Sequence, residues 1–346
     1  MGSAYEHSKE EFAALLTDEP RYRVDQIWHG LWVENQEIES ISTIPKVLRT
    51  RMANHFSSAL QVVNDVQSDH GATRKWVFRL HDGSTIETVL MGYEDRVTVC
   101  VSSQAGCAMG CTFCATGQAG FTRHLSTGEV LEQVMFAARA AAPRRLSNVV
   151  FMGMGEPLAN YNVTVNAVRR LHEYRGLSAR HLTVSTVGVA PAIERLAREG
   201  MPLTLAVSLH AANNDTRNEL VPLNRRYPLE RLREACEFWM ATTSRRLSFE
   251  WALIDGVNDT DQAIDELAHY AFALRAHVNL IPLNPTPGFL VKGSSSERVR
   301  EFRDGLEAQG INVTVRNTRG RSIDAACGQL ANVTNAKRRS IPVRSS

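Results

Sequence analysis

Three cysteines lie within eight residues in the segment Cys107-Ala-Met-Gly-Cys111-Thr-Phe-Cys114. Thiolates are soft ligands that favour iron–sulfur clusters, zinc or Cu(I). A ferredoxin cluster takes four cysteines, and a structural zinc site is normally closed by four ligands. The next cysteine or histidine along the chain is His124, beyond a predicted turn. The motif therefore predicts a [4Fe–4S] cluster with one iron left open, and the alternatives are a zinc site completed from afar or three unrelated buried cysteines.

The C-x3-C-x2-C spacing, with the aromatic Phe113 before the last cysteine, resembles the radical S-adenosylmethionine (SAM) enzymes. In that superfamily SAM binds the open iron, and one electron from the cluster cleaves it to a 5′-deoxyadenosyl radical. The resemblance to the RlmN-type dual-specificity RNA methyltransferases is closer, and it runs from about Arg21 to Leu330. It is carried by Cys100-Val-Ser-Ser-Gln-Ala-Gly-Cys107, Gly153-Met-Gly-Glu-Pro157, Ser208-Leu-His-Ala211 and Ile323-Asp-Ala-Ala-Cys-Gly-Gln329.

The RlmN resemblance implies methylation of C2 of adenosine in 23S ribosomal RNA, at the peptidyl transferase centre, and in tRNA, next to the anticodon. It implies two SAM molecules, of which the first methylates Cys327 and the second yields the radical that activates the new S-methyl group. The activated carbon attacks C2, and Cys100 then assists loss of the C2 proton and resolves the protein–RNA adduct by forming a disulfide with Cys327. The same resemblance makes Glu87, in the stretch Ile-Glu-Thr-Val, a candidate proton acceptor.

A second set of residues is implied in SAM binding by the same resemblance. On the residues alone, these positions are turn formers and helix caps, and the histidine among them could equally be buried and hydrogen-bonded. The implied SAM contacts are Gly155, Glu156, Ser185, Ser208, Leu209, His210 and Asn284.

The elements that must position these residues read as alternating strands and helices after residue 97. Such alternation predicts a parallel sheet, and working residues of parallel βα folds lie at the carboxyl ends of the strands. Six of the candidate sites directly follow or end a predicted strand, so we expect them to meet at one rim. We predict an α/β fold, an open or partial parallel βα barrel of about six strands, which the resemblance also implies. The predicted strands are 97–102, 148–152, 182–186, 203–208, 247–253, 277–282 and 311–315.

The part of the chain before residue 93 has a different pattern. Residues 8–60 show helical periodicity, beginning with the capping-box spacing Ser8-Lys-Glu-Glu11. Two β-rich runs around Asp82-Gly83 predict a hairpin. We therefore divide the chain into a helical accessory, RNA-binding domain (1–70), a β-hairpin linker (71–92), a radical SAM core (93–335) and a basic, flexible tail (336–346).

The amino-acid composition limits which binding partners and which cellular compartment are expected for this chain. A hydrophobic content of 43% over 346 residues allows a large core, and no apolar run is long enough to predict a membrane span. The N-terminus lacks the layout of a signal peptide, and six cysteines, half of them in one motif, indicate a reducing cytoplasm rather than a disulfide framework. A net charge of +2 is small for a nucleic-acid binder, so RNA contacts must be local. The resemblance adds an electron donor such as flavodoxin or ferredoxin as a partner.

Three alternative functions remain open on the sequence. A C8-methylating relative acting on the same rRNA adenosine shares the cluster and both cysteines. A non-enzymatic iron–sulfur redox or sensor protein would keep the three-cysteine motif but would have no use for Cys100 and Cys327. A radical SAM enzyme acting on a peptide or small molecule is the third.

Overall fold

The computed structural model describes residues 2–284, 292–316, 320, 323–325 and 328–330. Within these ranges, no helix is long and apolar enough to cross a membrane.

Ten strands form one mixed sheet with the order β1-β2-β3-β4-β7-β8-β9-β10-β11-β12. Strands β1 to β4 pair antiparallel, and the seven strands from β4 to β12 in this order are parallel. The remaining two strands, β5 and β6, form a separate antiparallel pair. The strands are β1 (Gln61–Ser68), β2 (Thr73–Arg79), β3 (Thr85–Gly92), β4 (Val97–Cys100), β5 (Gln104–Gly106), β6 (Phe121–His124), β7 (Asn148–Phe151), β8 (Leu182–Thr186), β9 (Thr204–Ser208), β10 (Leu247–Leu253), β11 (His277–Pro282) and β12 (Val313–Val315).

The predicted fold class is confirmed: the parallel sheet is open and does not close into a barrel, because β12 and β1 are its two edges. Each predicted strand after residue 97 is present, shortened by at most two residues. The parallel part has seven strands where about six were expected. The accessory helices and the hairpin are also present.

The two faces of the parallel sheet differ in polarity. Side chains alternate between the faces along each strand, and the register puts Thr183, Ala206 and Ser248 on one side. The other side carries large apolar residues such as Leu205 and Phe249, which are completely buried. Small and polar side chains therefore line the inner face, whereas the outer face packs into the core.

Eleven α-helices occur in the described part of the chain, and those after β6 bury their apolar faces in one continuous core with the outer face of the sheet. The helices are α1 (Lys9–Ala14), α2 (Tyr22–Trp32), α3 (Lys46–His55), α4 (Ala115–Ala119), α5 (Thr127–Ala140), α6 (Tyr161–Glu173), α7 (Ala190–Ala197), α8 (Asn214–Leu220), α9 (Leu229–Thr243), α10 (Asp261–Ala273) and α11 (Ser296–Ala308). Short 3-10 helices lie at Ala4–Glu6, Ile38–Ser40, Asp69–Gly71, Ala179–His181 and Pro222–Arg225.

Local signals explain several boundaries. The Ser8–Glu11 capping box is formed in full at α1. The hairpin turns at Gly83, whose φ of 82° is readily adopted only by glycine, while the Leu80 N–H donates to the Ser84 carbonyl at 2.8 Å. Both features confirm predictions made from the residues.

Residues 1–70 were predicted to be helical, but Gln61–Ser68 form strand β1. Its residues are exposed or half-buried throughout, because it is the edge of the sheet, so it lacks the apolar alternation by which a strand is recognised. The hairpin is also continuous with the core through the β3–β4 pairing. The aromatic residues of the N-terminal helices do not pack only among themselves, since the Trp28 ring lies 4.9 Å from that of Tyr174 in the core. The division into domains itself stays a prediction.

Candidate active site at the carboxyl ends of the parallel strands

A cavity opens at the carboxyl ends of the parallel strands and of the loops that follow them. It draws residues from every parallel strand after β4 except β12, and from the loop before α4. The lining residues are Cys111, Phe113, Cys114, Phe151, Met152, Gly153, Gly155, Glu156, Pro157, Ser185, Thr186, Val187, Ser208, His210, Glu250, Ala252, Ile281, Leu283, Arg316 and Gly328.

The three-cysteine segment forms the loop between β5 and α4, and Cys114 is the N-cap residue of α4. Two glycines let this loop fold tightly. Gly110 has a φ of 66°, and a Cβ on Gly117 would lie 3.0 Å from the backbone N and O of Cys111. The loop is fixed at one end because the Cys107 N–H donates to the Gly120 carbonyl at 2.9 Å.

The electrostatics of the thiols indicate what the loop can hold. Burial raises the pKa of Cys107 to about 12 and raises that of Cys111 well above its ordinary value. A bound cation such as iron would offset this cost of burial and favour the thiolate form of both residues. Zinc needs its sulfur ligands about 2.3 Å from one point, and no three His, Cys, Asp or Glu side chains among the described residues converge in that way. A [4Fe–4S] cluster offers each thiolate its own iron, so the donor set fits a cluster better than a single ion.

The turn after β7, from Gly153 to Pro157, lies against the segment that precedes the cluster loop. A Cβ on Gly153 would come within 2.7 Å of the Val101 carbonyl group. Gly155 has a φ of 102°, and its Cβ would lie 2.5 Å from Cβ of Gln104. Only glycine fits at these two positions, and their backbone forms one wall of the cavity.

Replacing Gly155 with alanine is expected to destabilise the protein by about 1–3 kcal/mol, through backbone strain and overpacking, and to weaken SAM binding. Gly176→Ala is the matched control, because Gly176 has a φ of 72° but nothing within 4 Å of its Cβ position. Urea unfolding would measure stability, and equilibrium dialysis would measure SAM affinity. A Gly155→Ala protein that binds SAM as tightly as Gly176→Ala would contradict the assignment of this turn to the SAM site.

Glu156 lines the cavity, but both of its carboxylate oxygens bind backbone. The Leu158 and Val187 N–H groups donate to them, each at 2.9 Å. Burial raises the pKa of Glu156 to about 7. The carboxylate thus joins the loops after β7 and β8, and it shapes the cavity through them.

Of the other predicted SAM contacts, Ser185 and Ser208 line the cavity with their hydroxyl oxygens 3.5 Å apart. Leu209 is completely buried, and its N–H donates to the Glu250 carbonyl at 3.0 Å. Asn284 is buried just after β11. The last two are not among the lining residues of the cavity, and the SAM contacts of all the residues named for this role stay predictions.

His210 is both a buried, hydrogen-bonded histidine and a lining residue. The Ala252 N–H donates to Nδ1 at 3.0 Å, so the neutral ring carries its proton on Nε2. Burial, aided by the positive charge of Arg217, lowers the pKa of His210 to about 3. The ring also contacts Phe113 of the cysteine loop edge-on, with 4.7 Å between centroids. His210 is therefore a fixed neutral donor beside the cysteine loop.

A polar cluster on the inner face was not found by sequence reasoning. Glu250 accepts a hydrogen bond from Asn279 at 2.8 Å and lies 3.8 Å from Arg316. Burial raises the pKa of Glu250, and Arg316 opposes that shift. The signal that could have revealed it is a lone charged residue within the apolar strand Leu247–Leu253.

The candidate base Glu87 lies on β3, in contact with a lysine and on the same face of the sheet as Cys100. The Lys75 ammonium is 3.2 Å from the Glu87 carboxylate, and both side chains are buried. Cys100 pairs across the sheet with Val89, which puts it diagonal to Glu87 on one face, about 7–8 Å away by strand geometry. Lys75 thus places an opposite charge next to the buried Glu87 carboxylate.

Cys327 lies outside the described residues, as do residues 336–346, but the chain on both sides of Cys327 is fixed. The Lys75 ammonium donates to the Asp324 carbonyl at 3.1 Å. The Ala115 N–H, at the start of α4, donates to the Gly328 carbonyl at 2.8 Å, and Gly328 lines the cavity. The same lysine thus joins the strand of Glu87 to the segment that precedes Cys327.

Comparisons with known proteins agree with this geometry. Residues 101–271 match the family model of the radical SAM superfamily. A protein of Salinispora tropica named "Probable dual-specificity RNA methyltransferase RlmN" is 51% identical over 92% of this chain and 89% of its own length. One of the same name from Chloroflexus aurantiacus is 47% identical over 94% of this chain and 92% of its own. The crystal structure of a radical SAM methyltransferase from Sphaerobacter thermophilus is 49% identical, with a TM-score of 0.92 over 95% of this chain and 99% of that one.

The open parallel sheet, with a cavity beside a three-cysteine loop, defines a radical SAM enzyme, and the family model agrees. Its cofactors are accordingly a [4Fe–4S] cluster and SAM. Within that superfamily the chain belongs to the family of RlmN RNA methyltransferases, since it shares about half of its residues with these relatives over nearly its whole length.

Proposed function

We propose that this enzyme methylates C2 of adenosine in 23S rRNA and in tRNA, with Cys327 as methyl carrier and Cys100 as resolving thiol. The observation that carries the proposal is that the cysteine loop, the Gly153–Pro157 turn and Gly328, the residue after Cys327, line one cavity. The Lys75–Glu87 pair is joined to the segment before Cys327 through the Asp324 carbonyl. An iron–sulfur redox or sensor protein would have no use for this pair or for the segment around Cys327.

The residues that hold the cofactors follow from their chemistry and place. Cys107, Cys111 and Cys114 are the soft ligands that a cluster takes. The Gly155 backbone, Ser185, Ser208 and His210 border the space next to them. When bound, the cluster and SAM supply a radical that can remove a hydrogen atom from an unactivated S-methyl group.

C2 of adenosine has no nucleophilic character, so the chain's own residues must bring the methyl carbon to it. Cys327 carries the methyl carbon to C2, so that no direct displacement on SAM by the base is needed. Glu87, which lies 3.2 Å from the Lys75 ammonium, accepts a proton during the reaction. The Cys100 thiolate attacks the Cys327 sulfur and breaks the bond between that sulfur and the carbon attached to C2. That carbon takes the electron pair and then a proton from solvent, which completes the methyl group, and the two cysteines are left as a disulfide.

Three further points stay predictions. RNA binding by the helical N-terminal part rests on the family resemblance. So does the flavodoxin- or ferredoxin-type electron donor. The cytoplasmic location rests on cysteine usage.

Turnover on RNA with SAM bearing a deuterated methyl group tests the proposed chemistry. Nucleoside digestion and mass spectrometry should give 2-methyladenosine whose methyl group has lost one deuterium, because one is abstracted and a proton returns from solvent. The control is the same reaction without reductant, which should give no product. Formation of 8-methyladenosine would reject C2 in favour of C8, and a methyl group that keeps all its deuterium would reject the carrier mechanism.

A further inference from the structure

Arg217, on α8, is a buried cation that the reaction described above does not use. Only 1% of its surface is exposed. Its guanidinium donates to the carbonyls of Leu209 at 3.0 Å, Val187 at 2.7 Å and Ser208 at 3.4 Å. It also donates to Oδ1 of Asn224 at 2.8 Å. The side chain therefore joins the chain ends that follow β8 and β9, directly behind the cavity wall.

All four acceptors of Arg217 are neutral, so they satisfy its hydrogen bonds but leave its charge in place. Among the residues that the structure describes, no Asp or Glu carboxylate forms an ion pair with Arg217, whose four acceptors are three backbone carbonyls and one amide oxygen. Burying an ion without a counter-charge costs several kcal/mol. An anion that binds nearby would offset the free-energy cost of burying this cation.

The cysteine loop, whose thiolates would carry the negative charge of a bound cluster, lies near Arg217. At the C-terminal end of α8, the Leu220 carbonyl accepts a hydrogen bond from the Thr112 N–H at 3.2 Å. Val187 and Ser208, which Arg217 binds, line the same cavity as Cys111. His210, which directly follows Leu209, packs its ring against Phe113 of the cysteine loop, with 4.7 Å between the ring centroids.

We propose that Arg217 balances the negative charge of the cluster and its cysteine ligands, and so makes the cluster easier to reduce. The inference rests on the assignment of the cluster to Cys107, Cys111 and Cys114. Three thiolates outweigh the charge of a [4Fe–4S] core, so the liganded cluster is an anion that becomes more negative when it takes up an electron. Cluster reduction potentials depend on such net charge and on burial, and a fixed cation in a buried site favours the reduced form.

Two substitutions at Arg217 separate charge from hydrogen bonding. Arg217→Gln keeps a hydrogen-bonding group but loses the charge, whereas Arg217→Lys keeps the charge but loses the fork of donors. Asn224→Asp leaves Arg217 in place and sets a carboxylate beside it in an almost unchanged shape. The control is Arg298→Gln, because Arg298 bonds Asp261, which is largely exposed.

The measurement is an EPR-monitored titration of the anaerobically reconstituted protein with dithionite as one-electron donor, without SAM or RNA. For Arg217→Gln and Asn224→Asp we expect about a tenfold smaller ratio of reduced to oxidised cluster at a fixed potential, a shift of about 59 mV to more negative values. Arg217→Lys and Arg298→Gln should titrate close to the unsubstituted protein.

Equal midpoints for all variants would overturn the proposal. So would an equal shift in Arg217→Lys and Arg217→Gln, because that result would assign the effect to hydrogen bonding. If Arg217→Gln does not fold, Asn224→Asp decides, since it retains the arginine. Iron and sulfide are measured in the same samples, and an unsubstituted protein without iron would contradict the cluster assignment itself.

Discussion

Cys111→Ala protein, reconstituted with iron and sulfide under anaerobic conditions, is expected to keep no stoichiometric iron and to lose RNA methylation entirely. Cys111 is the middle ligand of the loop and is buried, so no solvent ligand can take its place without reshaping the loop. Two thiolates would remain for a cluster that needs three. Iron analysis and a methyl-transfer assay measure the two losses independently.

Cys236→Ala is the matched control for this experiment. Cys236 is also a buried thiol whose pKa is raised by burial, to about 12, but it lies within α9. Its replacement should leave iron content and RNA methylation close to those of the unsubstituted protein. Retention of iron and activity by Cys111→Ala, or equal loss in both variants, would refute the role given to the loop.

Cys100→Ala protein is expected to accumulate a protein–RNA species that survives denaturation, while product formation falls by about 10²–10⁴-fold, the range of a lost acid–base group. The reason is that attack on C2 needs only the methyl carrier, whereas release needs a second thiol. Denaturing gels with labelled RNA would detect the adduct, and nucleoside analysis would measure the product.

The double variant Cys100→Ala/Cys327→Ala controls for non-specific crosslinking. It lacks the methyl carrier, so the adduct should be absent from it. An adduct that persists in the double variant would remove Cys327 from the mechanism. Normal turnover by Cys100→Ala would remove Cys100.

The sequence predicts the parallel strands because their signal is local. Each is a short β-branched run between amphipathic helices, and the ends of the runs mark the rim where Ser185, Ser208 and the Gly153–Pro157 turn are found. Edge strand β1 escaped prediction because its side chains are exposed on both faces and carry no period.

The role of a residue that binds backbone carbonyls also cannot be predicted from the sequence. Arg217 looks like any polar residue of a short helix, since its acceptors at Val187 and Leu209 are brought near only by tertiary structure. The Lys75–Glu87 pair reads as ordinary polar positions of a hairpin, and its link to Asp324 spans 249 residues of chain. Glu250 was the one missed residue with a local signal.

The wall of the cavity that carries Gly328 is made by residues that are synthesised long after the cysteine loop. It is held by contacts such as Lys75 to Asp324, and Thr116 Oγ1 to the Leu330 carbonyl at 2.5 Å, which are 249 and 214 residues apart in sequence. Contacts of such separation close only after the intervening chain has been synthesised. During synthesis there is therefore a stage at which the strands that support the cysteine loop are already made while this wall of the cavity is still missing.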